Sequence, residues 1–367
     1  MSAPVAPWPE ADPSIMTPVA EHADLGGVVR SVIARSAGHE QVRAAVTTRR
    51  GWSEDLWSTL NDDLGIGAML VPERLGGAGF GVRDVAVVLE EAGAALLPEP
   101  ILFSAVLAAS ALAAAREPAD VSELLEGVMA GTLIGTVCLD RTGTSVDGGR
   151  VTGTLRRVVA GAESDVVVVR SSEGLHAILL SGPGVVVRPL AVMDPTRRQA
   201  EVVLDGADSV PLSSGTDADR TWARLERLAT IGSAAEHVGM IGRQLAATVE
   251  YVGQRQQFGR AIGSFQAVKH RLADVAVDLE RARSAVVYAA ALHDDDPDVA
   301  LPAAVAGAVA TDAVVRAVHE AVQLHGGIGF TWEHPAHLYV RRALGDEGLF
   351  GSARRRREDV AALVLGR

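Results

Sequence analysis

The sequence predicts an α+β protein in three parts: an N-terminal helical domain, a central small β-barrel or sandwich, and a C-terminal four-helix bundle. Three observations carry that prediction. Apolar residues recur at the helical period through the first third of the chain, short β-branched runs broken by turn residues replace them from about residue 133, and the helical period returns after Thr216. The boundaries read this way are 1–16 for a disordered arm, 17–132 for the first helical domain, 133–212 for the β domain and 213–367 for the bundle.

In the first helical domain, Thr17 has the side chain to cap a helix running to about residue 36, and residues 52–64 form a second. A third spans 82–97, with Val85, Val88, Leu89 and Ala92 on one apolar side. The glycine-rich stretch 71–81 lies between them; without a preceding strand and a helix-opening lysine or hydroxyl it does not read as a phosphate loop. Five strands are expected at 134–138, 166–170, 175–180, 185–187 and 200–204, separated by turns rich in Gly, Ser and Asp. Helices at 217–253, 265–293, 299–324 and 352–365 make the bundle, and small residues from Ala300 to Ala310 allow close approach of backbones. The acidic turn from Asp294 to Asp298 is broken by Pro297 and lacks the distal glutamate of a calcium loop, so it reads as a solvated cap.

Composition removes several classes of function. A formal charge of -12 argues against a nucleic-acid surface. The compact basic run Arg354 to Arg357 is followed at once by Glu358 and Asp359 and reads either as the solvated face of a terminal helix or as a holder of CoA phosphates. The single cysteine, Cys138, excludes an internal disulfide framework and suits a buried position on a strand. No uninterrupted apolar run reaches the roughly 18 to 20 residues of a membrane span, and the N-terminal residues lack the pattern of a signal peptide, so no membrane partner and a cytoplasmic location are expected. His293, His319, His325, His334 and His337 show no metal-binding spacing, and no metal is expected.

The chemistry-bearing residues concentrate late in the chain. Tyr251-Val252-Gly253-Gln254-Arg255-Gln256-Gln257-Phe258-Gly259 is followed by Phe265-Gln266, and later by Gln323-Leu324-His325-Gly326-Gly327-Ile328-Gly329. Guanidinium charge, primary amides and glycines that free backbone N–H groups are what a dinucleotide with two phosphates requires. The same residues also suit plain helix-end packing, with Phe258 buried, Arg255 in an ion pair and Gly326-Gly327 as a C-cap. The motifs resemble the C-terminal half of the acyl-CoA dehydrogenase family, and the Gly-rich stretch 71–81 with Glu90-Glu91-Ala92-Gly93 and Pro98-Glu99-Pro100 looks like that family's N-terminal helical domain. The resemblance covers nearly the whole chain after residue 16. It implies FAD as cofactor, an acyl-CoA substrate desaturated between its α and β carbons, a tetramer and an electron-transfer flavoprotein as acceptor. It also implies that Arg255, Phe258, Gln266, Gln323, Gly326 and Gly327 contact the pyrophosphate and adenosine of a flavin held mainly by the neighbouring subunit.

Three departures from the family pattern fall on the other side of such a site. The loop after the first strand, from Cys138 to Gly149, is shortened; Val158-Val159-Ala160-Gly161 stand where a Trp and a Thr pack on the flavin ring; and the two positions of the family's catalytic glutamate hold Phe350 and Ala229. Proton abstraction next to a thioester needs a carboxylate within about 3 Å of the carbon, and neither residue can take a proton. Glu347, three residues before Phe350, and Glu226, one helical turn before Ala229, are the candidate replacements; Glu236 is a further carboxylate, and adjacent helix positions do not let it pair with His237. The departures imply a subunit that completes the flavin site of a homologous partner in a dimer of dimers, as in bacterial two-gene enzymes acting on steroid side-chain or other bulky CoA thioesters. A self-sufficient homotetramer using a displaced glutamate, a flavin oxidase or monooxygenase of the same fold, and a non-enzymatic assembly subunit are the alternatives.

Overall fold

The structure, a computed structural model, describes residues 13–17, 19–140, 143–292 and 299–366. His293, the acidic turn 294–298 and residues 1–12 of the expected arm lie outside the described residues. Of that arm, Pro13–Met16 form one 3-10 turn, which the Thr17 N–H closes on the Ser14 carbonyl at 3.0 Å. The first helix begins at Ala20, three residues after Thr17.

The first third is helical: α1 (Ala20–Ser36), α2 (His39–Ala45), α3 (Glu54–Asp62) and α4 (Val82–Ala95), then a π-helical segment Ile101–Ala108 that runs into α5 (Ala109–Ala113), and α6 (Ser122–Met129). The hydroxyl of Ser53 accepts from the Leu56 N–H at 3.2 Å, which starts α3 two residues after the expected Trp52. Every residue of the π segment is buried. A helix apolar all round has no amphipathic stripe, which is why the periodicity does not reveal it.

Eight strands follow: β1 (Gly135–Val137), β2 (Ser145–Asp147), β3 (Arg150–Val159), β4 (Val166–Arg170), β5 (Leu175–Leu179), β6 (Val185–Pro189), β7 (Gln199–Asp208) and β8 (Val210–Ser213). They make two four-stranded sheets, β1-β4-β5-β8 and β2-β3-β7-β6, antiparallel except for the β1–β4 pair. Leu155, Val202 and Leu204 of one sheet and Val167, Val169 and Ile178 of the other belong to one buried cluster, the core of a sandwich. The longest strand missed by periodicity, β3, is irregular: its pairing with β7 shifts register between Val151 and Gly153 and again between Leu155 and Val158. Each shift breaks the alternation that marks a strand in sequence.

The remaining elements are α7 (Gly215–Gln254), a small hairpin of β9 (Gln256–Gln257) and β10 (Arg260–Ala261), α8 (Gln266–Ala291), α9 (Ala300–His325), α10 (Ala336–Phe350) and α11 (Ala353–Leu365). The bundle thus gains a helix, α10, over the four expected. Gly345 and Gly348 within it and Pro335 before it lower its intrinsic helicity, and its buried face, including Leu338, Tyr339 and Ala343, holds it.

The chain divides into two compact units, one of Met1–Gly27, Ala86–Leu96 and Thr230–Arg367, the other of Val28–Val85 and Leu97–Ala229. In the first, α4 and α7 approach backbone to backbone: a Cβ on Gly239 would stand 1.8 Å from the Glu90 carbonyl oxygen, and one on Gly93 would stand 2.1 Å from that of Glu236. An ion pair of 2.8 Å between Arg316 and Asp278 ties α9 to α8. Ala300–Phe330 reaches the length and mean hydropathy, 1.5, of a membrane span, but Asp312, Arg316 and Glu320 interrupt it and 61% of the window is buried in the bundle. Its apolarity is that of a core helix packed by α8, α10 and α11.

Candidate functional site

Both late motifs lie in the first unit, and one aromatic contact joins them. Tyr251, near the end of α7, stacks on His325, at the end of α9, with ring centroids 4.5 Å apart and planes inclined by 27°, and its hydroxyl donates to the His325 carbonyl at 3.3 Å. His325 is buried, and its Nδ1 lies 2.7 Å from the Ala321 carbonyl. A carbonyl only accepts, so Nδ1 carries the proton and the ring is fixed in one tautomer. The His334 ring, 4.4 Å away, closes the stack.

On this scaffold the motif residues turn outward. Phe258 and Gly259 form the two-residue turn of the β9–β10 hairpin, with φ of 53° and 76°. Two successive left-handed residues match the type I′ geometry that suits the twist of a hairpin. Phe258 stands at its tip 89% exposed, and Arg255 is exposed with no ion-pair partner among the described residues. Gln266, opening α8, and Gln323, in the last turn of α9, are likewise exposed, and neither amide has a partner among the described residues. Gly326 does cap α9, its N–H reaching the Val322 carbonyl at a φ of 66°, while beside Gly327 nothing lies within 4 Å of where a Cβ would stand. The C-cap therefore accounts for Gly326; Phe258 meets the Phe265 ring edge-on at 6.2 Å, and helix-end packing does not engage the side chains of Arg255, Gln266 and Gln323 in any hydrogen bond or ion pair among the described residues.

The two residues expected at the base positions are Phe350 and Ala229. Phe350 ends α10 half-buried, before Gly351 at φ 99°, and Ala229 is buried. Glu347 is half-buried with no side-chain partner among the described residues, whereas Glu226, also half-buried, is engaged in an interaction. Periodicity overlooks Asp346. It is fully buried and faces His237 of α7, with Nε2 to Oδ2 at 3.2 Å across 109 positions of sequence. The signal for it was a polar pair, Glu236-His237, inside the buried apolar stretch of α7; the partner of His237 could not be read because it lies on the unrecognised α10.

The basic run is committed to its own surroundings. Arg354 pairs with Glu358 at 3.2 Å, Arg355 with Asp359 at 3.5 Å, and Arg357 with Asp312 at 3.5 Å. Arg356 turns inward to donate to the Thr230 hydroxyl at 3.0 Å, and burial lowers its pKa. In the second unit, the residues expected at the ring-side positions are closed off. Val158, Val159 and Ala160 are buried, and the Thr136 hydroxyl donates to the Val159 carbonyl at 2.7 Å. In the loop before them, Asp140 pairs with Arg157 at 3.5 Å, and burial pushes the Cys138 thiol up to about 11. Residues 141 and 142 of that loop lie outside the described residues, and among the described residues no group of three or more His, Cys, Asp or Glu could hold a metal ion.

The chain matches the acyl-CoA dehydrogenase N-terminal domain over residues 20–132 and the acyl-CoA dehydrogenase C-terminal domain over residues 215–365, and it belongs to that family. It is an oxidoreductase of a fold whose cofactor is FAD. Among its relatives is acyl-CoA dehydrogenase IpdE2 of Mycobacterium tuberculosis, 40% identical over 340 residues that span 92% of this chain and 96% of the relative. Similar solved structures include two from paired subunits. A chain of the ChsE4-ChsE5 complex from Mycobacterium tuberculosis superposes with a TM-score of 0.87 at 32% identity, over 96% of this chain and 99% of that one. A chain of the Tcur3481-Tcur3483 steroid ACAD does so with a TM-score of 0.84 at 27% identity, over 94% and 98%.

The residues of the first unit fit one end of FAD. An uncommitted guanidinium, two uncommitted amides and a glycine with open space at its Cβ are the donor set that a dinucleotide's phosphates and adenosine take.

Proposed function

We propose that this chain is the base-lacking subunit of a heteromeric, FAD-dependent acyl-CoA dehydrogenase that introduces an α,β double bond into a bulky acyl-CoA thioester of the steroid side-chain class. The observation that carries the reading is a contrast of occupancy: Arg255, Phe258, Gln266, Gln323 and Gly327 are exposed, Arg255, Gln266 and Gln323 without a hydrogen-bond or ion-pair partner among the described residues, while both base positions hold Phe350 and Ala229. Similarity to chains of ChsE4-ChsE5 and Tcur3481-Tcur3483, each a pair, supports the two-subunit arrangement, and the steroid description of the latter supports the substrate class.

In this reading Arg255 would hold the diphosphate of a FAD carried mainly by a homologous partner, Gln266 and Gln323 would hydrogen-bond its adenosine end, and Gly326-Gly327 would offer backbone N–H groups without a side chain in the way. Phe258 covers the cofactor from the hairpin tip. Bound FAD supplies the acceptor for the hydride that leaves the β carbon, and the proton at the α carbon is taken by a carboxylate of the partner. The electrons then pass to an electron-transfer flavoprotein. A dimer of dimers in the cytoplasm is the assembly this implies.

The visible spectrum and the solution mass of the purified chain test the proposal. A colourless chain that acquires flavin only when co-expressed with a second dehydrogenase-like subunit is the expected result. A homotetramer with one flavin per chain would overturn it and favour the self-sufficient enzyme, for which the half-buried, unpartnered Glu347 is the available base.

A further inference from the structure

We infer that His334 is a proton-controlled cap on the turn between α9 and α10, bonded to α10 while neutral and released from it when protonated. Pro335, the residue before α10, brings no N–H, so the Ala336 N–H is the first donor of the helix and needs an acceptor. The His334 ring supplies it: Nδ1 stands 3.2 Å from the Ala336 nitrogen. A backbone N–H only donates, so Nδ1 is unprotonated and the neutral ring carries its proton on Nε2. The turn that aims the ring is itself tied down. Gly326–Phe330 form a 3-10 turn, the Thr331 N–H and hydroxyl both donate to the Ile328 carbonyl, at 3.0 and 2.9 Å, and the His334 N–H donates to the Thr331 carbonyl at 3.3 Å.

Protonation at Nδ1 replaces that acceptor with a donor. It also sets a positive charge at the N-terminal end of α10, where a helix disfavours a cation. On its other side the ring meets the opposite end of a helix: His325, the last residue of α9, lies 4.4 Å away between ring centroids, and the C-terminal end of a helix favours a cation. His325 keeps its own Nδ1 proton on the Ala321 carbonyl, so Nε2 is the acceptor left in that ring. The charged imidazole therefore loses its hold on α10 and gains one on α9, and the two protonation states prefer different ends of the same turn. The titratable and charged groups around it are His325 of α9 with Tyr251 of α7 stacked on it, Glu333 beside it in the turn, and His337 and Arg341 of α10, which lie 4.6 and 5.2 Å from the centre of the Trp332 ring. Trp332 is 59% exposed, so the turn carries its own reporter on the solvent side. The segment that the proton moves also holds Gly326 and Gly327.

The test uses the oligomer in which the chain purifies. The Trp332 signal is the difference in fluorescence between a protein and its own W332F derivative, followed from about pH 7.5 to about pH 5.5, across the range in which imidazole titrates, with the solution mass followed in parallel. Wild type should show a single step in that difference. H334N and H334Q, whose amides accept from a helix N–H throughout this range, should abolish the step, and H337Q should keep it. Hydrogen exchange read by mass spectrometry and corrected for the intrinsic rate at each pH should show residues 326–338 opening about fivefold more at the acid end in wild type, and less than about twofold more in H334N. The absence of a step in wild type overturns the proposal, as does a step that survives in H334N and H334Q. A step lost in H337Q overturns it too, since it reports direct quenching of Trp332 by His337. A step that coincides with a change of solution mass in wild type and H334N alike is dissociation of the oligomer, and the cap is again wrong.

Discussion

The hairpin and helix-end loops of the first unit and the strand segment 134–161 of the second treat polar groups in opposite ways. In the loops, Arg255, Gln266 and Gln323 are exposed with no side-chain partner among the described residues, and the aromatic at the tip, Phe258, is exposed. In the strand segment, Val158, Val159 and Ala160 are buried, the Thr136 hydroxyl is spent on the Val159 carbonyl, and Asp140 is spent on Arg157. An open donor set is stable only because water satisfies it, and it is available to a ligand at little cost. A closed one contributes to folding and offers nothing. The contrast teaches that the loops of the first unit keep their donors open while the strand segment of the second is committed to its own core, which is the pattern the half-site reading expects.

The contrast is sharpest where the two kinds of residue are truncated. Leu155→Ala, in the sandwich core and 1% exposed, should lower unfolding stability by about 3 kcal/mol, measured by denaturant titration, with flavin affinity of the surviving folded oligomer unchanged. A cost below about 1 kcal/mol would mean that the strand segment is loosely packed and not converted to core. Next comes pH. The Cys138 thiol has its pKa raised by burial from 9.0 to about 11, so the folded state holds a proton that the unfolded state gives up above pH 9. That contribution to stability is complete below pH 9 and is lost as pH rises towards 11, by about 2 kcal/mol from the size of the shift. Tyr339, raised to about 12 by burial, loses its own contribution higher in the same direction. The difference between wild type and Cys138→Ala unfolding curves over pH 9 to 11 isolates the thiol. A flat difference would show that water reaches the segment.

Arg255→Ala should do the reverse of Leu155→Ala. Flavin affinity of the oligomer should fall by about tenfold, while the melting temperature of the stripped protein should move by no more than about 2 °C, since the Arg255 side chain has no hydrogen-bond or ion-pair partner among the described residues. Loss of both together would show that Arg255 is structural.

The sequence made some of this legible and hid the rest for identifiable reasons. The helical period with small residues at Ala303, Ala306 and Ala310 announced α9, because a helix packed on several sides by neighbours still keeps a polar stripe at Asp312, Arg316 and Glu320. The π segment Ile101–Ala108 has no such stripe and was silent. Two register shifts erased the alternation of β3, and two glycines disguised α10. In the site, the residue types that a dinucleotide needs were readable as motifs. What joins them was not: the Tyr251–His325 stack spans 74 positions, and the pairing of Gln257 with Arg260 depends on a turn with two left-handed residues, one of them a phenylalanine that sequence statistics would not place there.

The smallest expected effect falls on the residue most able to break the comparison from within the first unit. Glu347 resembles the open residues of the loops in having no side-chain partner among the described residues, yet it resembles the closed segment in being half-buried, and it lies three residues before Phe350. Three positions along a helix displace a side chain by about 4.5 Å along the axis and turn it by about 60° from the original direction, a large error against the contact distance that proton abstraction requires. Glu347→Gln keeps the shape and the hydrogen-bonding capacity and removes the basicity. In steady-state assays of the assembled enzyme with an acyl-CoA substrate, kcat should change by less than about twofold. A loss of more than about a hundredfold with flavin still bound, accompanied by loss of the acidic limb of the pH–rate profile, would identify Glu347 as the base and make the chain a complete dehydrogenase. The unpartnered carboxylate would then mark a second open end of the site, and the closed β segment would have to be understood as one that binds the flavin ring through backbone groups alone.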